Sequence, residues 1–232
     1  MTHLIQPNWP APAAIKAYTT TRLGWAGLKP VPAQSSEANL QDLLGLPEEP
    51  FWLTQQHSDI VIEASLSNHQ PIGDASFTTE AHQVCAVLTA DCLPLLVCDK
   101  KSTSVAAIHA GWRGLAAGII EKTLTALTTS PQNLLVWLGP AIGPLKFEVG
   151  IDVYRAFLQQ NTHYSLAFKP YSAEKWLADI YTLARIQLRE LGVLHVYGGE
   201  FCTYTQEELF FSYRRDKGIT GRMASLVWIS RD

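Results

Sequence analysis

Three residues of this chain pair reactive side chains with positions at the edges of apolar runs: His57, Cys92 and His109. The runs 93–98 and 104–109 are joined by the polar loop 99–103, a length common in β-hairpins. Pairing Cys98 with Ser104 sets Leu93 opposite His109 and Cys92 opposite Ala110. A slip of one residue would still leave the thiol and the imidazole neighbours at the open end of the hairpin. Such a pair has two principal uses: the histidine helps to generate a nucleophilic thiolate, or both side chains ligate a metal. The plainer alternative is a buried thiol and a satisfied core histidine. Against it stand the breakers Asp91, Pro94 and Gly111, which mark strand ends where functional groups are presented.

A metal needs a further protein ligand. His57 is the best-placed candidate, within the polar segment Thr54-Gln55-Gln56-His57-Ser58-Asp59 between two strand-like runs. Three protein ligands leave a fourth tetrahedral position for water or substrate, the pattern of a catalytic zinc site. One thiolate and two imidazoles also suit copper. His69, His82 and Cys85 are formal competitors. The two histidines read as surface residues, whereas Cys85 and Cys98 lie inside apolar runs and read as packing residues.

Around this group the sequence offers further candidates. His109-Ala-Gly-Trp-Arg-Gly114 leads from a strand into a helix, so Arg113 and free backbone N–H groups can meet a phosphate or oxyanion. Equally, Gly111 and Gly114 can serve tight packing. Asp91 can orient a histidine, bind substrate or cap a turn, and Asp74 in Gly73-Asp74-Ala75-Ser76 reads as a turn residue. The segment 139–144, Gly-Pro-Ala-Ile-Gly-Pro, follows a buried strand and can wall a pocket or serve backbone geometry alone. Cys202 is a second thiol or a packed one. Arg214, Arg215, Lys217 and Arg222 form a basic run in which Arg214 and Arg222 flank strand segments and can meet an anion.

These side chains must be held by regular elements. β-Branched and aromatic runs bounded by turn formers predict strands at 51–55, 60–64, 84–89, 93–98, 104–109, 134–138, 193–197, 208–213 and 223–229. Helical spacing of apolar residues predicts helices over 113–127, 152–160 and 175–191, the last with Trp176 on its core stripe, and a short one over 38–44. Strands outnumber helices and hairpin connections dominate, so the class is α+β, a mixed or antiparallel sheet with a few covering helices.

The 232 residues fit a single folded unit, 1–232, with no linker, repeat or low-complexity tract. Hydrophobic residues are 47% and charged residues 17%, and 18 basic against 21 acidic side chains give −3, no reason to expect nucleic acid. No run approaches the roughly 18 apolar residues of a membrane span, and no signal peptide opens the chain. Four cysteines without paired spacing point to reduced thiols and the cytoplasm.

The motifs TADCLP, HAGWRG, LGPAIGP with a following FEVG, CTY, and FFSYRRD before TGRMASLVWI resemble the YfiH family, also known as the multicopper polyphenol oxidase (laccase) domain or peptidoglycan editing factor family. The resemblance runs from about Trp52 to the C-terminus. It implies an α/β sandwich related to the deamidase domain of cytotoxic necrotizing factor. It also implies zinc held by His57, Cys92 and His109, which thereby become both metal ligands and catalytic residues. The implied activity is phosphorolysis of purine nucleosides (adenosine, inosine, guanosine and methylthioadenosine) with deamination of adenosine. The partners are then a purine nucleoside and phosphate, with Arg22, Asp91, Arg113, Arg214 and Arg222 as substrate-binding candidates on a monomer or weak homodimer. The family's usual N-terminal motifs are replaced here: Arg22 is followed by Leu-Gly-Trp-Ala-Gly, and Gln-Gln-His-Ser stands for Gln-Val-His-Gly. The competing expectations are a Cys92–His109 hydrolase acting on amide bonds of peptidoglycan precursors, a copper-dependent phenol oxidase, and a non-catalytic binding domain. The second of these lacks the His-x-His pairs of a multicopper centre.

Overall fold

The computed structural model describes residues 4–25, 40–65 and 70–230. In chain order these form β1 (Leu4–Ile5), β2 (Ile15–Thr20), α1 (Leu40–Leu44), β3 (Val61–Glu63), β4 (Ala75–Thr78), β5 (Cys85–Thr89), β6 (Leu93–Asp99) and β7 (Val105–Ala110). Then follow α2 (Trp112–Ala116), α3 (Ile119–Ala126), β8 (Leu134–Leu138), β9 (Glu148–Gly150), α4 (Ile151–Leu158), β10 (Phe168–Ser172), β11 (Lys175–Ala178), α5 (Ile180–Glu190), β12 (His195–Gly198) and β13 (Met223–Ile229). One sheet has the order β12-β8-β6-β7-β4-β3, a second β1-β2-β13-β5, and a small third β10-β11-β9. Pairing is antiparallel except for β12 with β8 and β3 with β4. The mixed, largely antiparallel architecture expected from the sequence is the one observed.

Strand parity explains the layers, because successive side chains point to opposite faces. Leu93, Leu95 and Val97 of β6, Ala106 and Ile108 of β7 and Val136 of β8 share one cluster with Leu115, Ile119, Leu183 and Leu188 of the helices. Leu96, Cys98, Val105, Ala107 and Trp137 point the other way, onto Cys85, Val87, Val227 and Ile229 of the second sheet. That sheet buries its outer face under Leu40 and Leu46 around α1. With both faces covered, β6, β7 and β8 read as continuous apolar runs. Each Leu or Ile buried there contributes about 1.5–3 kcal/mol.

The β6–β7 hairpin differs in register from the expectation. Leu93 pairs with Ala110, Pro94 with His109 and Cys98 with Val105, one residue further on than predicted. The cause is Asp99, which remains in the strand although it is polar. Its amide donates to the Ser104 carbonyl at 3.2 Å, and its carboxylate accepts the loop amides of Lys101 (3.1 Å) and Thr103 (2.8 Å). The loop caps its own aspartate, so burial carries little penalty.

Two helices also differ from the pattern reading. The run 113–127 is broken into α2 and α3 by Gly118, whose φ of 87° lies in the left-handed region. The run 175–191 begins as β11, and α5 starts only where Asp179 caps it by accepting the amides of Tyr181 (3.0 Å) and Thr182 (3.1 Å). Trp176 therefore sits on a strand, stacked on Tyr154 at 4.5 Å. Residues 208–213 form turns rather than a strand, the expected strand 51–55 makes only isolated bridges at Phe51 and Thr54, and β1, β2, β4, β9 and β10 lay outside the strand expectation.

α5 also supports the loops above the sheet. The Tyr181 hydroxyl accepts the Ala141 amide at 2.8 Å and lies 3.1 Å from the Gly139 carbonyl and 3.0 Å from that of Phe201. Tyr181→Phe leaves the buried Ala141 N–H without its partner. It should cost about 1–3 kcal/mol, read as a lower urea midpoint at unchanged m-value.

Candidate functional site

The site lies at one end of the two-sheet sandwich. The turn Ala90–Asp91–Cys92 carries the chain from β5 in one sheet to β6 in the other, and Asp91 takes a φ of 93° to make it. His109 has the parity of Val105 and Ala107, so its ring points between the sheets, 3% exposed. His57 comes from a loop fastened to β5 by Gln55, whose side chain mimics a ladder partner: Nε2 donates to the Leu88 carbonyl and Oε1 accepts the Leu88 amide, both at 2.8 Å.

The three side chains meet. Their candidate ligand atoms lie within 4.8 Å of one another, the one such group of three among the described residues. Cys92 Sγ and His57 Nε2 are 3.6 Å apart, and the two imidazoles stand edge to face at 4.8 Å. With Zn–S near 2.3 Å and Zn–N near 2.05 Å, the N···S edge of a tetrahedron is about 3.6 Å. With one edge at this spacing and the whole group within 4.8 Å, one soft thiolate and two imidazoles form a donor set that a transition metal such as zinc or copper fits.

Asp74 lies directly behind the group. It precedes β4, where Ala75 pairs with Ile108, so it stands across the ladder from His109. Its Oδ1 lies 2.7 Å from His109 Nδ1, and it is fully buried. Burial opposes its charge, but hydrogen bonds from His109 and Ser58 outweigh that and hold the carboxyl far below the usual carboxylate range. Burial also disfavours both the Cys92 thiolate and the His109 imidazolium, yet each charge stabilises the other. The thiol is thereby lowered and the imidazole raised, with Asp74 adding to the latter. Cys85 and Cys98, by contrast, are pushed up to about 12 by burial, as packing thiols should be.

Gly111 and Gly114 serve the tight packing that was one expectation for them, and its partner is the ligand loop. A Cβ on Gly111 would lie 2.8 Å from His57 Cδ2 and 3.1 Å from Cys92 Sγ, and one on Gly114 would lie 2.9 Å from the Ser58 carbonyl. Both make room for the ligand loop.

His57, Cys92 and His109 open onto a cavity of about 640 Å³ that Arg113, Arg214 and Arg222 also line. Each guanidinium lies over an aromatic ring: Arg113 over Trp112 at 4.4 Å, Arg214 over Phe147 and Arg222 over Tyr213 at 5.9 Å each. Among the described residues none of the three is in an ion pair. Asp91 lines the cavity too, but its oxygens already accept the Thr203 hydroxyl (2.6 Å) and the Arg214 amide (2.7 Å). Ile142 walls the cavity while its amide donates to the Asp91 carbonyl at 2.9 Å. Arg22 is not among the lining residues; it donates to the Glu207 carbonyl at 2.8 Å and lies over Phe211. Arg215 is half-buried and binds the carbonyls of Thr203 and Phe210, which ties down the loop that presents Arg214. Cys202 packs on Gly143, accepting its amide at 3.2 Å. His82 sits at the far end of β13, its amide on Ile229; His69 falls outside the described residues.

The family model described as "Multi-copper polyphenol oxidoreductase laccase" matches residues 27–230. The chain belongs to this laccase-type YfiH family. Purine nucleoside phosphorylase YfiH of Shigella flexneri and that of Escherichia coli (strain K12) are each 44% identical to it, over 99% of this chain and all of theirs. A solved Neisseria meningitidis protein superposes with a TM-score of 0.90 at 42% identity, covering 99% of this chain and 100% of its own. YlmD from Geobacillus stearothermophilus does so at 0.87 and 26%, covering 99% and 97%. This member thus shares its fold with solved relatives over nearly its whole length.

The site residues that the sequence passed over are Gln55, Trp112, Phe147 and Tyr213. Asp74 was singled out, but a turn role stood at least level with one in the site, since only the β4–β7 register reveals its partner. Trp112 was within reach, as the aromatic beside Arg113.

Two outcomes test this geometry. In metal-free protein, iodoacetamide should alkylate Cys92 with a pH midpoint below the about 8.5 of an ordinary thiol, and His109→Gln should move it upward; an ordinary midpoint refutes the coupling. Gly111→Ala is permitted by the backbone, at φ −69°, yet its methyl group would displace His57 and Cys92. Bound metal per chain should fall well below that of the wild type while the far-ultraviolet spectrum is retained.

Proposed function

We propose that this protein is a zinc-dependent purine nucleoside phosphorylase. One observation carries the reading: a His–Cys–His group lines the same cavity as Arg113, Arg214 and Arg222. These arginines are in no ion pair among the described residues, although Arg214 donates to the Glu148 carbonyl and Arg222 to those of Thr220 and Gly221. Relatives 44% identical over their whole length bear the same name. The cavity volume suits a small-molecule site, typically about 300–1,000 Å³.

In phosphorolysis a phosphate oxygen bonds to C1′ of the ribose, the C1′–N9 bond breaks, and the purine leaves with the electron pair and takes up a proton. Arg113, Arg214 and Arg222 supply rigid donor forks for the phosphate. Stacking on rings preorganises them at little cost in side-chain freedom. Leu53, Leu88, Ile142 and Ile180 restrict water around the reacting carbon, and Phe147 and Tyr213 offer faces for a purine. His57, Cys92 and His109 hold the zinc, which when bound supplies Lewis acidity for charge developing on a substrate atom. Adenosine, inosine, guanosine and methylthioadenosine are the proposed substrates, and adenosine deamination is proposed at the same site.

A monomer or weak homodimer is the proposed assembly. Four free thiols support a reducing, cytoplasmic setting, and among the described residues no helix is long and apolar enough to cross a membrane. Arg22 keeps a place only as a support for the 207–211 segment.

Purified protein with inosine and phosphate should release hypoxanthine, and Cys92→Ala or chelation should abolish the release; equal turnover in Cys92→Ala overturns the assignment. Arg214→Gln should raise KM for phosphate by about 10- to 100-fold, the loss of one charged hydrogen bond, with a smaller change in KM for the nucleoside.

A second reading, a thiol hydrolase acting on amide bonds of cell-wall precursors, draws on the Cys92–His109–Asp74 alignment. There His109 would take the Cys92 proton, with Asp74 orienting the ring. An acyl adduct trapped on Cys92 in chelated, still active protein would establish it. Loss of all activity on chelation would exclude it.

A further inference from the structure

Five donors converge on the two oxygens of Asp74. Oδ1 meets His109 Nδ1 at 2.7 Å and the His57 amide at 2.9 Å. Oδ2 accepts the Gln56 amide at 3.2 Å, the Ser58 amide at 2.6 Å and the Ser58 hydroxyl at 2.6 Å. A turn aspartate needs only one or two such bonds. This one is fully buried and reaches both histidines of the ligand group, one through its ring and the other through its backbone. The second contact falls on His57 itself, whose φ of 61° lies in the left-handed region that a histidine seldom adopts.

We propose that Asp74 is the positioning residue of the metal site, a single carboxylate that fixes the tautomer of His109 and the backbone of His57 together. Oδ1 as acceptor requires a proton on His109 Nδ1, which leaves Nε2 as the ring atom turned toward Cys92 and the cavity. The same oxygen and its partner hold the 56–58 amides, and with them the His57 ring at its 3.6 Å spacing from Cys92 Sγ. Only an acceptor-only group serves here. The amide of an asparagine would turn its own two hydrogens toward one set of these donors.

The clamp is stated for the metal site of the reading above, and it is tested without nucleoside. Cobalt(II) is titrated into metal-free wild type, Asp74→Asn and Ser58→Ala, with affinity from chelator competition and ligand geometry from the visible d–d bands. Asp74→Asn should bind about 10- to 100-fold more weakly, the usual effect of losing such an outer partner, with altered bands at a retained far-ultraviolet spectrum. Ser58→Ala, which removes one donor of the five, should weaken binding less. The second measurement does not depend on Asp74→Asn. In protein labelled with 15N-histidine, the His109 resonances, identified by their loss in His109→Gln, should show a protonated Nδ1 both without metal and with it.

A His109 Nδ1 without a proton in wild type, or an Asp74→Asn protein with unchanged affinity and bands, overturns the proposal. If wild type takes up no cobalt, the zinc reading falls instead, and the tautomer still decides the clamp. If Asp74→Asn does not fold, the Nδ1 proton and Ser58→Ala carry the decision, and unchanged cobalt affinity and bands in Ser58→Ala together with an unprotonated Nδ1 would sink it.

Discussion

The structure rests on a constraint of burial. β6, β7 and β8 are covered on one face by α2, α3 and α5 and on the other by the second sheet. A strand buried on both faces tolerates almost no unpaired polar group along its length, so charge is driven to the strand ends. One end gathers them: Asp74 before β4, Ala90–Asp91–Cys92 between β5 and β6, and His109 through Arg113 where β7 passes into α2. The loops after β8 and β12 and Arg222 before β13 arrive at the same end. The site is the consequence of a core that admits polar chemistry nowhere else nearby.

The electrostatics of that end are arranged by which charges are tied down. The acidic oxygens of Asp74 and Asp91 are engaged by protein donors, and neither carboxylate is left for the cavity. The three guanidinium groups rest on aromatic rings rather than on acids. The free charge facing the cavity is thus positive, apart from the Cys92 thiolate that the histidines sustain. Such a wall favours an anionic co-substrate, as the phosphorolysis reading requires, and the aromatic rings serve both to hold the arginines and to line the space.

Much of this was legible in residue types. The apolar runs of β6, β7, β8 and β13 identified central strands because double burial removes the alternation of a half-exposed strand. The breakers around Cys92 and His109 marked where the strands stop. What failed failed for tertiary reasons. Asp99 looked like a loop residue because its caps come from the loop's own folded backbone. The helical spacing of 175–178 is real, yet these residues are taken up by pairing with β9 and β10. β4 is short and β2 carries a polar half, and the long-range partners β7 and β13 supply most of what makes them strands.

The division between sequence and structure is clearest at the site. His57, Cys92 and His109 could be named from residue types, breakers and family motifs, because a thiol and imidazoles at strand ends have few other uses. Asp74 could not be assigned its partner. Nothing local distinguishes it from a turn aspartate, and its ring partner is set by the β4–β7 register, a pairing of strands separated by two others in the chain. The same holds for the arginines: their charge was evident, but only the closing of the sandwich end sets Arg113, Arg214 and Arg222 around one cavity and leaves Arg22 off its wall. Sequence determined which groups are available for chemistry, and long-range strand pairing decided which of them meet.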